Sequence, residues 1–124
     1  MTQNAMQPAD MFKMEPSLLI DHLAETFYTP IPEEIVSTED MEEAAKTLLK
    51  LTSNYSYLCE LVSRAKVETR IAKRNLSKEE YEDMVDRKEI IQNMTDIIKQ
   101  KYAAVSRAIT IRLDNNAELR MVHH

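Results

Sequence analysis

Four carboxylates, Glu79, Glu80, Asp83 and Asp86, recur within eight residues at short helical spacings. On a helix the three-residue intervals bring oxygens to one face, as in helical NTP pyrophosphatases and di-metal bundles, where facing helices share divalent cations. That chemistry needs a second set of ligands. No Glu-x-x-His occurs, and in the helix pairing derived below these acids fall opposite bases. The histidines, His22, His123 and His124, are scattered; the last two form a doublet fit for adventitious metal. Cys59 has no histidine near it in sequence or register, so it reads as a small buried thiol rather than a nucleophile. The sequence contains no glycine, which excludes the usual phosphate-cradling loops, nucleophile elbows and dinucleotide turns. A carboxylate–metal NTP hydrolase therefore ranks third. The expectation is a protein that is not an enzyme, with no catalytic, cofactor-binding or metal residues.

A basic cluster, Arg64, Lys66, Arg70, Lys73, Arg74 and Lys78, has the chemistry to hold a nucleic-acid backbone or an acidic protein. It lacks interleaved aromatics of the kind that grip single strands. Its expected role is internal neutralisation by Glu79, Glu80, Glu82, Asp83, Asp86 and Glu89. The net charge of −5, with 30% charged residues, disfavours polyanions as the main partner. A nucleic-acid-associated factor working through this cluster is the alternative to the leading reading.

The elements that carry these residues are helices. All four prolines, Pro8, Pro16, Pro30 and Pro32, precede residue 33; beyond them nothing obliges a helix to break except one polar turn. Met41, Ala44, Leu48, Leu51, Tyr55, Leu58, Val62, Ala65, Thr69 and Ala72 keep an unbroken 3,4 spacing, which is a coiled-coil-like seam. Acids at 39–43 suit the start of that helix. It is expected over 38–74, with Asn75 taking the left-handed position that often ends a helix. Ser77 and Glu80 form a capping box, with Leu76 and Tyr81 as a hydrophobic staple. A second helix over 78–112 carries Tyr81, Met84, Lys88, Ile91, Thr95, Ile98, Tyr102, Val105 and Ile109. So short a turn makes the two helices antiparallel. A single register then pairs the two seams from Ala72 with Tyr81 to Ala44 with Ile109.

The expected fold is all-α: a long antiparallel helical hairpin, coiled-coil-like, with a short N-terminal helix over 17–27 packed on it, and oligomerisation completing a bundle. Residues 1–16 read as a flexible arm, 17–113 as the helical domain and 114–124 as a tail. Tyr28 to Pro32 is a stiff extended connection, and Glu33 to Val36 is a candidate single turn. A lone cysteine, no basic-then-apolar leader and no apolar run near membrane length place the chain in the cytoplasm, away from membranes. The sequons at Asn54, Asn75 and Asn93 then carry no glycosylation signal.

The hairpin leaves a second apolar stripe: Ile90, Met94, Ile97, Ala104, Ala108 and Ile111, joined by Tyr57, Leu61 and Ile71 of the first helix. A stripe of this length is the expected partner or self-association surface, because monomers seldom leave one in water. Met11, Phe12 and Met14 in the arm are candidate anchors for a partner groove. The leading expectation is a non-enzymatic protein–protein interaction or assembly module. It acts on another protein or on a second copy of itself, as a homodimer. A small phage or mobile-element accessory or inhibitor protein is the type this short, acidic, motif-poor chain suggests.

Overall fold

The computed structural model describes residues 6–122, with side chains described through Asn116. Four helices follow in order: α1 (Pro8–Met11), α2 (Pro16–Thr26), α3 (Thr38–Asn75) and α4 (Lys78–Val122). Strands are absent among the described residues. The long helices α3 and α4 pack against each other as a hairpin, and a short N-terminal helix contacts α4. The chain forms two compact units. Residues 6–28 pack with 56–96, and residues 29–55 pack with 97–122.

Local chemistry explains where the helices start. Pro8 and Pro16 open α1 and α2 at first-turn positions, where a missing N–H costs nothing. α3 opens with a reciprocal box. The Asp40 N–H donates to Ser37 Oγ (3.1 Å), while Asp40 Oδ2 accepts from the N–H groups of Val36 (3.0 Å) and Ser37 (3.1 Å). Those backbone donors hold the Asp40 carboxyl below its usual range. At α4 the Ser77 hydroxyl accepts from the Glu80 N–H at 3.2 Å. This is the half of the expected capping box that the structure holds.

Two helix ends differ from expectation. Asn75 is helical, and no described residue has a positive φ. The chain turns through Leu76 and Ser77 instead, with the Leu76 N–H still bonded to Ala72 O at 3.0 Å. Nor does α4 stop at Arg112. It runs to Val122, because Asp and Asn are weak helix formers but only glycine or proline would force a break. The residues assigned to a tail from 114 are therefore helical up to Val122.

Within the unit that holds 56–96, the seam buries Leu58, Val62, Ala65, Thr69 and Ala72 of α3 against Met84, Ile91 and Thr95 of α4. Both buried threonines satisfy their hydroxyls one turn back, Thr69 on Ala65 O (2.7 Å) and Thr95 on Ile91 O (2.8 Å). The other unit buries Ala44, Leu51, Ile98 and Val105. Tyr55 and Tyr102, expected in the seam there, are 36% and 42% exposed. A ring of that size with a hydroxyl to hydrate settles at the seam's edge.

Residues 6–36 form a cover rather than an arm and a linker; the first five residues of the expected arm lie outside the described residues. Met11, Leu19, Leu23 and Phe27 are buried in the first unit, and the Phe27 ring lies 5.8 Å from that of Tyr57. In the second unit Thr29 and Ile35 are buried along an irregular stretch. The turn expected over Glu33 to Val36 is not formed.

Candidate functional site

A concavity of about 480 Å³ lies at the hairpin tip. Three elements build it. Ala9, Phe12 and Lys13 come from α1 and the residues after it. Glu68, Ile71, Ala72 and Leu76 come from the end of α3 and the turn. Glu80, Asp83, Met84 and Arg87 come from the first turns of α4. Ala72 and Met84 are buried, while Ile71 is 44% and Leu76 50% exposed. The result is an apolar trough with acids along it and Lys13 at its edge.

Arg87 fixes one wall. Its Nε donates to Met14 O at 2.6 Å, and its Nη1 lies 4.0 Å from Met84 Sδ. Lys101 performs a comparable task in the other unit, its Nζ donating to Thr29 O at 3.0 Å. Sequence reading missed both roles, although a signal was present. Arg87 and Lys101 fall in the rhythm of the second stripe, at 87, 90, 94, 97, 101, 104 and 108. A cation within an apolar stripe points to a polar group in whatever covers it.

The structure separates the expected interface residues. Leu61 is 1% exposed and Met11 2%. Both lie in the unit where the N-terminal cover packs, so neither is open to a partner, and their assignment to an interface or an anchor is corrected. Ile90, Met94 and Ala108 are half-buried. Tyr57 is partly exposed but stacks on Phe27, and loss of hydration pushes its hydroxyl pKa up. Ile97, Ala104 and Ile111 remain exposed in the second unit, and Ile71 in the first. Ala108 and Ile111 line a second concavity, of about 360 Å³, with Glu33 to Val36, Arg112 and Asn115. Phe12 and Ile71, expected to act separately, come together in the tip groove; Met14 is half-buried beside its bonded carbonyl.

All six residues of the basic cluster are exposed. Arg64 pairs with Glu60 of its own helix at 3.3 Å. Lys66, Arg70, Lys73, Arg74 and Lys78 have no carboxylate within ion-pairing distance among the described residues. Direct ion pairs between these bases and the acids of α4 are not made among the described residues. Glu80 and Asp83 line the groove instead. Among the described residues no group of three or more His, Cys, Asp or Glu side chains is placed to hold a metal ion. No described helix is long and apolar enough to cross a membrane.

No family model, curated protein or solved structure matches this chain.

Proposed function

We propose that the chain is a non-enzymatic interaction module that receives an amphipathic helix of another protein in the groove at the hairpin tip. The observation that carries this reading is the trough itself. Ile71 and Leu76 stay half-exposed beside Phe12 and a buried Met84, an apolar floor of the kind that takes the i, i+3, i+4 anchors of a docked helix. Glu68, Glu80 and Asp83 border it, so the fitting partner has apolar anchors flanked by Lys or Arg. Rim charges of this kind set specificity and association rate more than affinity. The absence of glycine supports a role without phosphate-loop chemistry, and the lone Cys59 suits a reducing compartment.

The test is capture from the native cell by the full chain, compared with an Ile71→Glu, Leu76→Glu double variant of unchanged circular dichroism. The expected result is one or a few proteins retained by the wild type and lost by the variant. Retention by both would reject the groove. Self-association is a second reading, favoured by Ile97 at 44% and Ile111 at 52% exposure. In sedimentation equilibrium it requires a mass above 14.4 kDa that falls with Ile97→Glu.

A further inference from the structure

The hairpin tip has one face under the N-terminal cover and one face open. Tyr57, stacked on Phe27, and Arg87, bonded to Met14 O, mark the side that the N-terminal cover occupies. The groove acids Glu68, Glu80 and Asp83 lie on that same side. At 100° per residue, Lys73, Lys66 and Arg70 of α3 lie about 60–120° round from the seam in the opposite direction, and Lys88, a seam position of α4, leans toward the same side. Lys66, Arg70 and Lys73 and the groove acids Glu68, Glu80 and Asp83 thereby lie on opposite sides of the seam, with Glu89 and Asp96 of α4 turned toward the uncovered side. Lys66, Arg70 and Lys73, with Arg74 beside them, are exposed and free of ion pairs among the described residues; Lys88 is half-buried and likewise unpaired.

We propose that this uncovered face of the tip binds the phosphate backbone of duplex nucleic acid without reading its sequence. Lys66 to Arg74 spans about 12 Å of rigid helix, and a duplex presents one phosphate per ~1.7 Å of its axis, so several cations meet phosphates at once. None has to leave an internal partner first. The composition of the face separates this ligand from its rivals. Cys59, Ser63 and Gln92 lie among the cations, Val67 is an exposed aliphatic at the edge beside Arg70 and Arg74, and the large exposed aromatics that anchor a protein partner are missing. The aromatic there is Tyr81, half-buried, whereas single strands are held by stacking on open rings. The net charge of −5 confines binding to modest affinity and low salt.

Fluorescence anisotropy of the full chain with a labelled duplex of about 20 base pairs, titrated between ~50 and ~200 mM salt, tests the proposal. The expected slope of log K against log salt is about −3, the release expected for three or four phosphates. Lys66→Glu, Arg70→Glu and Lys73→Glu together should weaken binding at least ~30-fold at ~50 mM salt with helicity unchanged. The milder K66Q, R70Q and K73Q combination, a safeguard against misfolding, should flatten the slope by two or more. Reversal of Lys46 and Lys50, elsewhere on α3, should leave affinity within about threefold. No duplex binding at ~50 mM salt overturns the proposal, as does a folded triple reversal that binds like wild type. Displacement of the duplex by polyglutamate at equal charge would overturn it in favour of an acidic protein.

Discussion

The two units solve one problem by different means. Each has a segment of α3 facing a segment of α4, and each has a stripe on α4 that the seam leaves over. In the unit of 56–96 the cover is helical. α2 and its C-cap place apolar residues at 19, 23 and 27, and all three are buried. In the unit of 97–122 the cover is an irregular strap between Tyr28 and Ser37, and it buries only Thr29 and Ile35 deeply. A helix returns a side chain to the same face every three or four residues; a proline-bearing strap supplies fewer. The outcome is visible in what stays wet. On α4, Ile90 and Met94 of the first unit are half-buried, while Ile97 and Ile111 of the second remain about half-exposed. The second unit also contains an orphan, Asn54 Nδ2, buried without a hydrogen-bond partner. Unlike the covers themselves, the clasps match: a cation from α4 holds one cover carbonyl in each unit.

If the helical cover contributes more than the strap, Leu23→Ala should be the costliest change, about 3–5 kcal/mol, and Ile35→Ala should cost about 2 kcal/mol. Urea unfolding of the two variants decides this; equal losses would erase the contrast. Next in size are the clasps. Arg87→Ala and Lys101→Ala each remove a charged donor from a carbonyl, worth roughly 1.5–3 kcal/mol. Comparable losses in both would show the clasps to be equivalent, whereas a small effect at Lys101 would make the strap independent of its clasp. Asn54→Leu sharpens the comparison from the other direction. It replaces an unsatisfied amide with a side chain of similar size and should stabilise the protein by about 1 kcal/mol, measured as a higher urea midpoint.

The hairpin was legible because its evidence was periodic. The seam from Met41 to Ala72 and the Ser77 cap needed only spacing and one hydroxyl to be read. The strap was not legible, since an irregular segment has no period and its burial depends on a helix some seventy residues away. The tip groove was half legible. Phe12 and Ile71 stood out as unburied apolar residues, but their meeting depends on α1, a single turn too short to announce itself beyond Pro8. The end of α4 was not legible because Asp114, Asn115 and Asn116 are weak helix formers that nevertheless do not break an established helix.

The smallest expected effect concerns the start of α3, in the strap's unit. Asp40 has a folded-state pKa below its ordinary value of 3.8, so its contribution to stability is present above that value. It is lost as the pH falls through the lowered one. Asp40→Asn should therefore lower the melting temperature at pH 7 and make almost no difference near pH 2. A gap between the two proteins that persisted in acid would mean the box acts through geometry alone. The equivalent start of α4, which uses an uncharged serine, should show no such dependence from Ser77→Ala.

The cover also has a place in time. Its clasps join residues separated by 73 and 72 positions. During synthesis at about 5–20 residues per second, roughly 4–15 s pass between the making of Met14 and that of Arg87. Met11, Leu19, Leu23 and Phe27 are all made well before the α4 segment of the unit they pack in. The most apolar part of the N-terminal third is thus the part that waits longest, and it is the natural target for a chaperone that holds nascent chains.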